Sequence, residues 1–388
     1  MTRAVVTGLL GLSLVACATS ALQPIRDANV PLEEDEKRLW ARVEQEQKKF
    51  EASGAVYRDA ELEAYLTGVA RKLQPPAVLQ AIPFRVMVVK NPWLNAFAMP
   101  TGALYIHSGL LARLENEAQL AAVLGHEMVH VTHRHAIRDF RSTQNKTAFL
   151  ATMNMTFGGL PVLGEIADLV GAFGTTAAIT GYARDQEREA DREGLDLMVR
   201  AGYDPMEAPK AFHEMKKELD EQKIKEPFFY SSHPRLQERI ANFESLTKTT
   251  YRARRGGAKN ADLFLKKIQM VVLENARLDL KAGRFHTAQW GAEKGIAIRP
   301  NDPKGYYLLG EVLRQRAGDG DVQKAGQHYQ KAIALDPAYP DPHKGLGLIN
   351  LKRGQACLAK KSLESYLALA PTASDRAYID GYIRQCPR

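Results

Sequence analysis

Residues 115–134 read ENEAQLAAVLGHEMVHVTHR, and this stretch is the most strongly patterned part of the 388-residue chain. Its apolar side chains recur at the three- and four-residue spacing of one helix face. Glu115 and Glu117 stand at the expected N-terminus, where acidic side chains suit the positive end of the helix dipole. The pattern therefore predicts one continuous α-helix over this stretch.

The centre of this helix carries His126-Glu127-Met128-Val129-His130, which has the form H-E-x-x-H. Residues four apart project from the same helix face, so both imidazoles can bind one metal ion. Zinc is the metal expected from this pairing, and Glu127 is placed to take a proton from a water molecule that zinc acidifies. Because five residues alone are only moderately specific, a third ligand has to define the class of site.

Two common sources of a third ligand are excluded by the sequence. A metzincin would have a glycine and a third histidine where His133 and Ala136 stand. A thermolysin-like site would have a glutamate about twenty residues after the second histidine. No carboxylate occurs between Asp139 and Glu165, so that arrangement is also absent.

An acidic stretch further along the chain supplies the remaining candidates. Residues 184–192 read RDQEREADR, and Glu187 and Asp191 are again four residues apart. One of them can bind the metal while the other orients a ligand histidine. Spacing alone leaves open which residue has which role.

Four short motifs, in chain order, resemble the M48 family of zinc metallopeptidases. They are Asn95-Ala96-Phe97-Ala98, His126-Glu127-x-x-His130, Glu187-x-Glu189-Ala190-Asp191 and Ser232-His233-Pro234. Together with the terminal segments described below, they are most similar to the periplasmic, BepA-like branch of that family. The resemblance covers essentially the whole mature chain, and a departure at Ala183, where many relatives have serine, leaves the metal site untouched.

The resemblance implies a role for each motif. Glu187 would be the third zinc ligand, and Asp191 would orient a ligand histidine. His233 would lie near the metal, where it either stabilises the transition state or acts as a fourth ligand that self-inhibits the enzyme. Arg239 would stabilise an oxyanion or pair with an acid. Residues 95–99, which are followed by Pro100, would form an edge strand that pairs with an extended substrate. An ordinary protected edge is the alternative.

The other histidines receive simpler interpretations. His133 is expected on the surface, and His135 is expected beside the metal ligands, since both follow them on the same helix. The remaining histidines have no ligand spacing and are expected to be packing or surface residues: His107, His213, His286, His328 and His343.

The N-terminus has the layout of a secretory signal. Arg3 precedes an apolar run over residues 4–16, which is too short to span a bilayer. Leu14-Val15-Ala16-Cys17 resembles a bacterial lipobox, whose cysteine is acylated and becomes the new N-terminus; an ordinary signal cleaved nearby is the alternative. Since similar lipoproteins that lack aspartate after the cysteine usually reach the outer membrane, we expect the chain in the periplasm, anchored there through Cys17.

The C-terminal third has an internal period. Residues of three types recur at separations of 37 and then 34 residues: Gly283, Gly320 and Gly354; Ala288, Ala325 and Ala359; Pro300, Pro337 and Pro371. Each unit has the pattern of two helices with proline after the second, which resembles a tetratricopeptide repeat. Such units bury their faces by stacking, so residues 372–383 are expected to form a capping helix.

Export also affects the three cysteines of the chain. With Cys17 acylated, Cys357 and Cys386 remain, and an oxidising compartment would allow them to form a disulfide. Two inert buried thiols are the alternative.

Composition excludes some other classes of protein. With 45% hydrophobic and 25% charged residues, the chain is globular and long enough for two cores. The net charge of +8 is spread along the chain without a nucleic-acid motif, so nucleic acid is not an expected partner. The dense basic run at residues 251–257 is interpreted as a solvated linker, and contact with an anionic membrane surface is the alternative. An apolar, glycine-rich segment at residues 148–180 is expected to be a mobile flap or a buried helical hairpin.

These patterns predict an α+β zincin-like metallopeptidase domain, mostly helical with a small sheet, followed by an all-α tetratricopeptide-repeat domain. The expected boundaries are 1–16 for the signal peptide, 17–53 for the lipidated segment, 54–247 for the peptidase domain, 248–261 for the linker and 262–388 for the repeats. The expected function is that of a zinc endopeptidase, with one zinc per chain, that degrades misfolded or unassembled outer-membrane proteins. Its repeats would recruit substrates or envelope assembly machinery; the alternative is a chaperone-like scaffold with a silenced or structural zinc site.

Overall fold

The computed structural model describes residues 22–142, 182–222, 236–254 and 256–386. Helices and strands are numbered below in chain order within these ranges. Four predictions concern residues outside them: the signal peptide at residues 1–16, the lipidated Cys17, the apolar segment at residues 148–180 and His233.

A small mixed sheet forms one layer of the N-terminal region. Its strands are β1 (Val56–Tyr57), β2 (Arg85–Val89), β3 (Ala96–Ala98) and β4 (Ala103–His107), in the spatial order β1-β2-β4-β3. The central strands β2 and β4 are parallel, and β1 and β3 are antiparallel to their neighbours. β3 therefore lies at one end of the sheet, among the strands that the described residues form.

The other regular elements named below are α-helices. In the N-terminal region they are α1 (Glu34–Ala52), α2 (Ala60–Leu73), α3 (Pro76–Ala81), α4 (Ser108–Arg113), α5 (Glu117–Thr132), α6 (His135–Ser142), α7 (Arg184–Arg200), α8 (Glu207–Gln222) and α9 (Leu236–Lys248). In the C-terminal region they are α10 (Ala261–Lys281), α11 (Phe285–Ile298), α12 (Pro303–Arg316), α13 (Asp321–Leu335), α14 (Pro340–Lys352), α15 (Ala356–Leu369) and α16 (Arg376–Ile383). This arrangement confirms the predicted fold class.

Helix α5 runs through the centre of the N-terminal core. The Asn116 side chain caps its start by accepting a hydrogen bond from the Gln119 amide at 3.0 Å. All 16 residues of α5 are buried, including its histidines and Glu127. A helix that is covered on every side holds its polar groups in a water-poor environment, where they need specific partners.

Two glycines allow α5 and α7 to approach closely. A Cβ atom built on Gly125 of α5 would lie 2.8 Å from the carbonyl oxygen of Gly194, and one built on Gly194 of α7 would lie 2.7 Å from the backbone nitrogen of His126. Because these are backbone atoms, rotation of a side chain cannot relieve the overlap. The absence of both side chains therefore sets the distance between the helices that carry the predicted ligands.

The glycines that recur in the C-terminal sequence lie in the loop between the two helices of each repeat. Gly283, Gly320 and Gly354 all have a left-handed backbone, with φ of 71°, 74° and 71°. Glycine adopts this conformation without steric cost, which explains its recurrence there. The recurring alanines, Ala288, Ala325 and Ala359, are fully buried between helices.

Helix α10 belongs to both cores. Phe264, Ile268 and Val271 pack in the same apolar cluster as α5, whereas Leu273 and Ala276 pack with the repeats. The repeat region is therefore not joined to the N-terminal region by a free tether.

The basic segment ahead of α10 is followed by residues that contact the N-terminal region. Arg252 and Arg254 are exposed, as expected. The Ala258 amide, however, donates a hydrogen bond to the Gly202 carbonyl at 2.9 Å, and Lys259 lies 2.9 Å from the Glu207 carboxylate. These contacts fix the end of the segment against the N-terminal region.

Charged side chains also join the two regions. Asp279 of α10 has no exposed area and pairs with Arg284. Its carboxylate also lies 3.8 Å from the guanidinium of Arg113 in α4. Lys294 of α11 donates a hydrogen bond to the Ala112 carbonyl at the end of α4, at 2.7 Å. The first repeat is thereby held in a defined position relative to α4.

The C-terminal end is closed by a short helix and a disulfide. α16 begins at Arg376, four residues later than the predicted start of the capping helix, and its Ile379 packs against α15. Cys357 and Cys386 are joined, with an S–S distance of 2.08 Å. Among the described residues, no helix is both long enough and apolar enough to cross a membrane.

We expect Gly194→Ala to lower the free energy of unfolding by about 1–3 kcal/mol, because the added methyl group overlaps the backbone of α5. Urea unfolding followed by circular dichroism would measure the change.

The matched control is Gly68→Ala in α2, where an added methyl group meets no atom within 4 Å. That substitution should stabilise the protein by up to about 1 kcal/mol through helix propensity. Equal stability of the two variants would contradict the close approach of α5 and α7.

Candidate active site

Three buried side chains converge where α5 meets α7. His126 Nε2 lies 3.0 Å from His130 Nε2 and 3.6 Å from Glu187 Oε2, and His130 Nε2 lies 3.4 Å from Glu187 Oε1. Tetrahedral zinc with ligands at about 2.0–2.1 Å separates its ligand atoms by about 3.3 Å. The residues present therefore fit a zinc ion, and they are the three that the family resemblance implies as ligands.

Asp191 faces the opposite edge of the His126 ring. Its Oδ1 lies 3.0 Å from His126 Nδ1, while the other ring nitrogen points at His130 and Glu187. A carboxylate in this position accepts the Nδ1 proton and leaves Nε2 available to a metal. This placement agrees with the role that the family resemblance implies for Asp191.

Arg239 of α9 lies behind the ligands. It is 3% exposed, and its Nη2 lies 2.7 Å from Asp191 Oδ1, while Nη1 lies 3.5 Å from Glu187 Oε2. Its guanidinium also stacks over the Phe212 ring, 4.5 Å from the centroid. Burial acts to lower the pKa of Arg239, but the neighbouring carboxylates outweigh it and raise that pKa above its usual value. Of the two predicted roles, the geometry displays the pairing with acids; an oxyanion role stays a prediction.

His130 has two further neighbours, of which His135 was expected beside the ligands and Tyr182 was not indicated by the sequence. Its ring stacks on Tyr182, with centroids 3.7 Å apart and planes inclined by 19°. Its Nδ1 lies 2.8 Å from Nδ1 of His135, whose Nε2 lies 3.0 Å from Glu189 Oε2. Burial lowers the pKa of His135 far below its usual value, so its ring is neutral.

Glu127 follows His126 on α5 and is 2% exposed. It is one of the carboxylates that raise the pKa of Arg239, so it lies within the same buried charge cluster.

The expectation for His133 was wrong: this residue is 7% exposed rather than on the surface. Its Nε2 pairs with Glu193 at 3.0 Å and lies 4.0 Å from Glu189, both of which belong to α7.

The predicted edge strand reaches the site. α5 packs against β3, and a small cavity is lined by Ala98 and Pro100 together with His130 and Tyr182. β3 therefore lies beside the ligand His130. His233 lies outside the described residues, so its two predicted roles stay open.

The geometry and the family comparison agree. A family model described as peptidase family M48 matches residues 39–247, which is more than half of the chain. This chain belongs to peptidase family M48. A TPR repeat model matches residues 319–354 in the C-terminal region. The predicted family, the presence of repeats and the metallopeptidase class are confirmed at this level.

Curated relatives of this chain are named as a protease or a metalloendopeptidase. The beta-barrel assembly-enhancing protease of Yersinia pestis is 31% identical over 298 residues, covering 70% of this chain and 59% of the relative. The protein of the same name from Escherichia coli (strain K12) is 28% identical over 207 residues, covering 50% and 41%. The mitochondrial metalloendopeptidase OMA1 of Arabidopsis thaliana is 32% identical over 139 residues, covering 36% and 27%. The chain thus spans about two fifths to three fifths of the length of the two bacterial relatives.

We expect Arg239→Leu to lower the free energy of unfolding of the chelator-treated protein by about 3–5 kcal/mol, because Asp191 loses the partner of a buried ion pair. Urea unfolding in the presence of EDTA would measure this loss.

Arg188→Leu on α7 is the control, since its pair with Glu238 is at the surface, where Arg188 is 56% exposed. Its loss should cost no more than about 1 kcal/mol. A loss for Arg239→Leu as small as that of the control would show that the buried cation does not hold the site together.

Proposed function

We propose that this M48 chain is a zinc-dependent endopeptidase of the bacterial envelope, with one zinc per chain, that degrades misfolded or unassembled outer-membrane proteins. The observation that carries the proposal is the convergence of His126, His130 and Glu187, with their ligand atoms 3.0–3.6 Å apart in a buried site next to Glu127. A site built only for packing would not bury two imidazoles and two carboxylates together.

Some residues of the site would hold the metal ion, and another would transfer a proton. His126, His130 and Glu187 would hold zinc, which supplies Lewis-acid chemistry that acidifies water and polarises a carbonyl. Glu127 would accept the proton of the attacking water and return it to the leaving amine. Asp191 and Arg239 would keep the ligands oriented and the buried charges balanced.

The substrate would bind as an added strand. Among the strands that the described residues form, β3 pairs only with β4, so its other edge can offer N–H and C=O groups to an extended peptide. Main-chain pairing tolerates many sequences, which suits a peptidase of unfolded proteins. The bacterial relatives are named beta-barrel assembly-enhancing protease, and this name supports a role in the assembly of β-barrel proteins.

The repeats would recruit substrates or assembly machinery, because stacked helix pairs form a continuous surface for protein partners. Their fixed junction with the N-terminal region, through α10 and Lys294, would hold such a partner at a constant distance from the site. Lipidation of Cys17, which the sequence predicts, would anchor the chain at the outer membrane from the periplasmic side.

We expect Glu127→Gln to retain about one zinc per chain but to lose proteolysis, because the proton acceptor is gone while the ligands remain. Cleavage of a casein-like unfolded substrate should fall by at least about 100-fold. Metal analysis and a peptide-release assay would measure both quantities.

Glu115→Gln, at an exposed position just before α5, is the control and should cleave as the unsubstituted chain does. Zinc-independent holding of unfolded protein, with no cleavage by the unsubstituted chain, would instead favour the chaperone-like scaffold.

A further inference from the structure

A buried chain of three side chains extends away from the metal ligands. His130 Nδ1 lies 2.8 Å from His135 Nδ1, and His135 Nε2 lies 3.0 Å from Glu189 Oε2. His135 has no exposed area, whereas Glu189 is 30% exposed. The chain therefore runs from the site to the protein surface.

The positions of the protons follow from the geometry. A neutral imidazole has one donor and one acceptor nitrogen. His130 directs Nε2 at His126 and Glu187, so a metal would bind there and the His130 proton must be on Nδ1. That proton is donated to His135 Nδ1, which places the proton of His135 on Nε2, where Glu189 accepts it.

The opposite arrangement does not satisfy the same atoms. If His135 Nδ1 were the donor, His130 would carry its proton on Nε2, where it would block the metal. His135 Nε2 would then be an acceptor facing the Glu189 carboxylate oxygen, so two acceptors would meet at 3.0 Å. The carboxylate at the end of the chain therefore selects the tautomer of His130 at its start.

We propose that His135 and Glu189 are positioning residues that hold His130 in its metal-binding tautomer, as Asp191 does directly for His126. The inference rests on the proposed zinc site. His130 would be oriented through one histidine and then one glutamate, whereas His126 is oriented by a single carboxylate. Both arrangements end on carboxylates of the same helix, α7, so α7 supplies one ligand and orients the other two.

The backbone between α5 and α6 is shaped to place His135. Arg134 has a left-handed backbone, with φ of 54°, which a residue other than glycine rarely adopts. Its side chain donates a hydrogen bond to the Pro31 carbonyl at 3.1 Å and lies 3.5 Å from Glu36. This turn starts α6 at His135 and brings its ring back onto His130.

The test compares zinc affinities of full-length variants by competition with a chelator. His135→Phe removes the acceptor and should weaken zinc binding by about 10–100-fold, the usual effect of losing a group that orients a ligand. His135→Asn keeps an acceptor near the position of Nδ1 and should recover part of that loss. The control, His213→Asn, removes a surface histidine of α8 that pairs with Glu244, and should change the affinity by less than about threefold.

Circular dichroism and thermal unfolding of the zinc-free variants separate a folding defect from a change in affinity. If His135→Phe does not fold, Glu189→Leu decides, because Glu189 is partly exposed and the loss of its acceptor oxygens should still weaken zinc binding by about threefold or more. A folded His135→Phe with unchanged zinc affinity, or the same result for Glu189→Leu, would overturn the relay. Absence of zinc from the unsubstituted chain would instead overturn the proposed function.

Discussion

The close contact between α5 and α7 at Gly125 and Gly194 is the constraint on which the rest of the site depends. Backbone meets backbone there, and a methyl group on either glycine would lie less than 3 Å from a main-chain atom of the other helix. The contact is next to His126 in α5 and one turn after Asp191 in α7. An increase in the distance between the helices would move Glu187 away from the two histidines.

Burial makes this arrangement costly unless its charges are balanced. Among the described residues, Glu127, Glu187 and Asp191 surround a single guanidinium, that of Arg239. Carboxylates in a water-poor environment require counter-charge, and one arginine does not match three of them. A divalent cation held by His126, His130 and Glu187 would complement the difference, which explains why so many ionisable groups are buried on adjoining helix faces.

Much of this site was predictable from local pattern. The spacing of residues 126–130 fixes two imidazoles on one helix face, and the recurrence of Gly283, Gly320 and Gly354 fixes the turns of the repeats, because both are properties of a few neighbouring residues. The pairing of Glu187 with the histidines came from family resemblance, since spacing alone did not distinguish it from Asp191.

Features that depend on packing between distant segments were missed or misjudged. His133 is buried because α7 covers it, and Tyr182 stacks on His130 without any signal in the sequence. Gly125 did carry a signal, since a glycine within a strong helical pattern often marks close packing, but its partner Gly194 is set by tertiary structure alone. The position of α10 in both cores has the same origin.

Helices distant in sequence would hold one zinc ion through two histidines and a glutamate. X-ray absorption at the zinc edge of the purified full-length chain tests this arrangement most directly. The expected spectrum has two imidazole nitrogens and one or more oxygens at about 2.0–2.2 Å. A shell with sulfur at about 2.3 Å, a shell with fewer than two imidazoles, or no bound zinc would contradict the claim.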